Sequence, residues 1–99
     1  MNANDEPEMR AVHVLISGRV QGAGYRAWCA DKARALELFG WVRNLRSGEV
    51  EAVFSGRSES VEAMLAAAFE GPGWARVFGV RMLGEAGLVG GAFEVCRSE

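Results

Sequence analysis

Apolar and polar residues alternate from Ala11 to Ser17 (AVHVLIS), placing Val12, Val14 and Ile16 on one face and His13, Leu15 and Ser17 on the other. Period two with β-branched residues predicts a strand. The alternation stops in the glycine-rich stretch GRVQGAG. From Tyr25 the period becomes helical, with Tyr25, Cys29, Ala33 and Leu36 in one stripe and Asp31, Lys32, Arg34 and Glu37 mostly off it. That spacing predicts a helix over Tyr25–Leu38. Gly40 interrupts it, Trp41–Leu45 reads as a second strand, and the turn signal Ser47-Gly48 leads into a third strand, Glu49–Ser55. Ser58 is placed to cap a second helix, with Glu59 and Glu62 near its positive end and Val61, Met64, Leu65 and Ala68 as its apolar stripe. Gly71-Pro72-Gly73 stops that helix, Val77–Leu83 makes a fourth strand, and Ala92–Cys96 a short last one.

The order β-α-β-β-α-β, plus a short C-terminal strand, predicts an α+β ferredoxin-like sandwich with two helices on one face of an antiparallel sheet. In that topology the first and second strands run the same way with the third between them. Their C-terminal ends then lie about 10 Å apart on one edge, two strand spacings. The glycine loop and the residues ending the second strand share that edge. Residues 1–10 read as a flexible polar tail and 11–97 as a single domain.

Composition narrows the function. With 49% apolar residues, the 99-residue chain has enough for one core. Cys29 and Cys96 form no CxxC pattern, so neither a zinc site nor a thiol-redox motif is legible. They read as free thiols in a reducing cytoplasm, although spacing alone leaves a bridge between them open. The opening MNANDEPEMR has no basic segment followed by an apolar one, and no run approaches a membrane span. A cytoplasmic protein without membrane contact is expected. The net charge of −2 argues against nucleic acid, whose backbone needs a basic footprint.

Gly22-Ala23-Gly24-Tyr25-Arg26-Ala27 matches the G-x-G-x-x-A dinucleotide fingerprint. That reading also needs a carboxylate ending the second strand for the ribose, and the chain has Arg43-Asn44-Leu45-Arg46 there. A Walker A loop fails because no Gly-Lys-Ser/Thr follows the glycines. What remains is a set of backbone N–H groups free to converge, a helix N-terminus behind them, and Arg26 in the first turn with a planar fork of donors. Together these suit one phosphoryl group. On the residues alone, a tight β-α turn with a solvated Arg26 stays equally open.

GRVQGAGYR, Gly18 to Arg26, resembles the acylphosphatase signature G-R-V-Q-G-V-G-F-R. Gly40-Trp41-Val42-Arg43-Asn44 resembles the second signature of that family, G-W-V-x-N, in the right order and with a helix between. The Ser47-Gly48 turn and GPGWARV, Gly71 to Val77, are also similar, so the likeness covers about Val12 to Val95. It implies the same ferredoxin-like fold and metal-independent hydrolysis of a carboxyl-phosphate anhydride to a carboxylate and inorganic phosphate. It implies Arg26 and Asn44 as catalytic residues, Arg26 holding the phosphoryl group and Asn44 positioning the attacking water. Phosphate binding falls to the Gln21, Gly22, Ala23, Gly24, Tyr25 and Arg26 stretch through its amides. No cofactor and no metal are called for. The expected partner is a small-molecule acyl phosphate, with inorganic phosphate as product and competitor, acting on a monomer. A non-catalytic domain of the same fold, binding phosphate or carbamoyl phosphate, is the alternative, and retention of both Arg26 and Asn44 favours the enzyme.

Four positions depart from the family pattern. Ala23 replaces Val, Tyr25 replaces Phe and brings a hydroxyl that needs a partner, and Cys29 stands where Thr is common. Glu37 stands where a glycine often ends the first helix, and a left-handed turn there would cost on the order of 1 kcal/mol. Arg19 is expected to face solvent. His13 is expected at the surface, because nothing nearby in sequence would orient it as a base. Trp28, Trp41 and Trp74 read as packing residues. EVEAVFS lacks the aromatic pattern of RNA-binding domains.

Overall fold

The first strand, β1 (Met9–Arg19), buries Val12, Val14 and Ile16 completely and leaves His13, Leu15 and Ser17 half-buried, as its alternation requires. The computed structural model describes residues 7–22 and 24–99; the first six residues of the expected tail and Ala23 lie outside the described residues. After β1 come α1 (Tyr25–Ala35), β2 (Phe39–Asn44), β3 (Val50–Arg57), α2 (Ser58–Glu70), β4 (Arg76–Glu85) and β5 (Glu94–Val95).

The strand order is β4-β1-β3-β2-β5. Since β3 is antiparallel to both β1 and β2, those two run the same way and end on one edge. The fifth strand pairs in parallel with β2, Trp41 opposite Glu94 and Val42 opposite Val95, so the sheet is mixed rather than antiparallel throughout. Both helices cover the face carrying Val12, Val14, Ile16, Val42, Val50 and Phe54. Tyr25, Cys29, Ala30 and Ala33 of α1 and Val61, Met64 and Ala68 of α2 pack into it. Phe93 is buried there too, stacked on Phe54 with ring centroids 5.8 Å apart.

Several boundaries differ from the sequence reading, each for a local reason. β1 begins at Met9 because its pairing with β3 continues to Met9 opposite Arg57. Ser58 is the first helical residue of α2, not its cap; Arg57 takes the cap position with extended backbone, and the Ser58 N–H donates to the Glu8 carbonyl at 2.9 Å. The first helix ends at Ala35, three residues before Leu38. There the Leu38 N–H bonds the Ala33 carbonyl (2.8 Å) and the Glu37 N–H bonds the Arg34 carbonyl (3.0 Å). This is a Schellman closure. Glu37 occupies its left-handed position with φ 58°, so a non-glycine residue does sit in the strained site the sequence flagged.

At the end of α2 the Ala68 carbonyl would look to the N–H of residue 72, but Pro72 has none. The buried Tyr25 hydroxyl donates to that carbonyl instead, at 3.0 Å. Tyrosine in place of the usual phenylalanine thus has a physical partner: it completes the terminus of the other helix. Burial, followed by the neighbouring Cys29, pushes its phenol well above the ordinary range, keeping it a donor.

Candidate active site

α1 starts without a capping side chain. Gly24 holds its N-cap position in the left-handed region (φ 96°), and Gly22 precedes it at φ 101°. Side-chain-bearing residues adopt these angles only with strain. A Cβ on either glycine would meet nothing within 4 Å among the described residues. The first helical bond runs from the Trp28 N–H to the Gly24 carbonyl at 2.9 Å. The N–H groups of Tyr25 and Arg26 meet no acceptor among the described residues, as the first turn of an uncapped helix dictates. The Gly24 N–H is different: it turns back toward the Gly22 carbonyl and is not among the free donors.

Arg26 is half-buried, and its Nη1 donates to the Cys96 carbonyl at 2.8 Å. A guanidinium carries five N–H donors, so this bond fixes one corner and leaves donors for an anion. Asn44 ends β2. Its carbonyl accepts the Glu99 N–H at 2.9 Å, while its Oδ1 is buried and receives no donor among the described residues.

The segment Cys96–Glu99 brings these two residues together. The Cys96 N–H bonds the Val42 carbonyl (2.8 Å), continuing the parallel pairing of β5, and Glu99 Oε1 accepts the Arg46 N–H (3.1 Å). One short strap therefore holds the Arg26 guanidinium at one end and the Asn44 backbone at the other. Nothing in the sequence pattern had drawn the strap into the site.

Of the other expected loop residues, Gln21 and Gly22 are exposed, Tyr25 is buried with only its backbone on the loop, and Ala23 lies outside the described residues. Arg19 is exposed, as expected. His13 is not without orientation: its Nε2 lies 2.7 Å from Glu51 Oε2, and Arg43 Nε donates to Glu51 Oε1 at 2.6 Å. The Arg43 guanidinium also lies 5.5 Å from the Trp41 ring centroid. This cluster sits on the sheet face opposite the helices. Trp28 packs against the core and Trp41 is half-buried, whereas Trp74 is 51% exposed and packs little. Cys29 and Cys96 are both free. Among the described residues no helix is long and apolar enough to cross a membrane, and no three His, Cys, Asp or Glu side chains gather as a metal site.

A family model described as acylphosphatase matches residues 12–85 of this chain. An acylphosphatase of Azorhizobium caulinodans is 54% identical over 85 residues, covering 85% of this chain and 91% of the relative. One of Methylococcus capsulatus is 57% identical over 72 residues, covering 73% of this chain and 78% of the relative. Among solved structures, the acylphosphatase of Coxiella burnetii superposes with a TM-score of 0.82 at 36% identity, covering 89% of this chain and 93% of that one.

Proposed function

Because this chain belongs to the acylphosphatase family, hydrolases that act on acyl phosphates, we propose that Arg26 and Asn44 are its catalytic pair. In this reading the phosphoryl group sits over the Gln21–Arg26 loop, held by the free N–H groups opening α1 and by the unoccupied donors of Arg26. The single observation carrying the reading is the strap that anchors both Arg26 and Asn44 beside an uncapped helix N-terminus.

The chemistry suits these groups. Phosphoryl transfer passes through a loose transition state with charge spread over the equatorial oxygens, so oriented donors supply most of the stabilisation. The leaving carboxylate is a weak base and requires no strong general acid. Asn44 cannot take a proton at neutral pH, but its side-chain amide can hydrogen-bond a water and so fix the direction of the attacking lone pair. The proton lost by that water passes to the substrate phosphate. No step calls for a Lewis acid, and every group named lies on one chain. In this reading the working species is a metal-independent monomer, acting in the cytoplasm, where the free Cys29 and Cys96 stay reduced.

Steady-state hydrolysis of benzoyl phosphate in EDTA tests the assignment. Arg26→Ala is expected to lose both turnover and phosphate affinity. Asn44→Ala is expected to lose turnover while inorganic phosphate still binds. Wild-type turnover by Asn44→Ala would overturn the pairing, and activity that depends on added metal would overturn the mechanism. Phosphate binding by wild type with no turnover would leave a binding domain.

A further inference from the structure

The Gln21 side chain, although exposed, is not left to solvent. Its Nε2 lies 2.7 Å from the Leu45 carbonyl and 2.9 Å from the Glu49 carbonyl. Those two carbonyls close the turn between β2 and β3, where the Leu45 N–H bonds the Glu49 carbonyl (2.8 Å) and the Gly48 N–H bonds the Leu45 carbonyl (3.1 Å). A primary amide has two hydrogens, and here both have an acceptor. Holding a long, flexible side chain in one rotamer costs conformational entropy, so two converging bonds mark a defined clamp rather than a passing surface contact. The clamp joins the glycine loop to the residue directly after Asn44.

We propose that Gln21 is a positioning residue that sets the distance between the phosphate loop and Asn44. The inference rests on the assignment of Arg26 and Asn44 made above. The strap at Cys96–Glu99 ties Arg26 to Asn44 from the β5 side; Gln21 ties the other end of the loop to the β2–β3 turn. The two anchors hold the phosphoryl group and the water as two separately mounted parts. Misplacing one against the other by about 1 Å can cost about a hundredfold in rate. Loss of the clamp therefore acts on turnover. The groups that grip phosphate all lie on one side of the clamp, and their mutual geometry is untouched.

Two near-isosteric variants separate this from a general loss of structure. Gln21→Met keeps the length and removes both donors. Gln21→Glu replaces the donors with a carboxylate that faces two carbonyl oxygens. With benzoyl phosphate, both are expected to lower kcat by about tenfold or more, Gln21→Glu at least as far as Gln21→Met. The inhibition constant of inorganic phosphate should change by no more than about twofold, since its donors remain. The kcat of Gln21→Glu should also recover relative to wild type as pH falls through the titration of the new carboxyl, because its protonated form donates a hydrogen bond again. Gln21→Met should show no such recovery. Wild-type kcat in Gln21→Met would overturn the proposal. So would a tenfold loss of phosphate affinity at unchanged kcat, which would make Gln21 a direct phosphate ligand. Asn44→Ala, assayed alongside, separates the two failures: if it is inactive while Gln21→Met is normal, only the clamp falls.

Discussion

Replacing Glu37 by glycine should make the protein more stable. The Schellman closure of α1 needs a left-handed residue, and Glu37 supplies it at φ 58°. For an L-residue that conformation costs about 1–2 kcal/mol. Glycine removes the strain but brings a freer unfolded chain, which returns about 0.5–1 kcal/mol. The Glu37 side chain is exposed and lies past the negative end of the helix, where an acidic group is mildly unfavourable. The net gain is about 0.5–1 kcal/mol, or about 2–8 °C in Tm for a domain of this size. Thermal and urea denaturation followed by circular dichroism measure it, with Glu37→Ala as the control. Alanine keeps the Cβ and so the strain, and should gain only the small electrostatic part. A Glu37→Gly protein that melts at or below wild type would refute the argument. An equal gain in Glu37→Ala would move the cause from backbone to charge.

Tyr25→Phe should destabilise the fold by about 1–2 kcal/mol, because the Ala68 carbonyl loses its donor and Pro72 cannot replace it; an unchanged Tm would mean another group serves that carbonyl. Burial opposes the charge on Glu51, but hydrogen bonds from His13 and Arg43 outweigh it and hold the carboxyl below the ordinary glutamate range. A lowered folded value means the stabilisation is complete above the unfolded value of about 4.3 and disappears as pH falls through the folded one. Glu51→Gln should therefore be less stable than wild type at neutral pH and show a flatter acid limb; parallel pH–stability curves would count against this. Burial also pushes the Cys29 thiol up to about 12. A disulfide reagent at pH 8 should titrate only the half-buried Cys96 quickly, Cys29 following on denaturation, and two fast equivalents would contradict the packing of α1.

The elements legible in the sequence are those whose face repeats. The alternation in β1 and the stripe of α1 name buried residues one by one, and the paired signatures locate Arg26 and Asn44. Interactions that depend on register were not legible. Glu51 orients His13 from 38 positions away, across a strand pair no local pattern specifies. Tyr25 finds its acceptor only because Pro72, on another element, leaves one vacant. The strap has no periodicity, and its role follows from where β5 docks. The helix read to Leu38 stops at Ala35, because the chain turns at Glu37 and Leu38 is buried only after that turn.

The bond from Arg26 to the Cys96 carbonyl closes a loop of 70 positions. Contacts of that span are slow to form, because chain entropy is lost before the contact returns anything. Helices and the β2–β3 hairpin depend on near neighbours and can form early. The proposed site then becomes complete only when β5 has docked beside β2. In a refolding experiment, helical signal should return ahead of hydrolytic competence, and the interval between them times the arrival of the last strand.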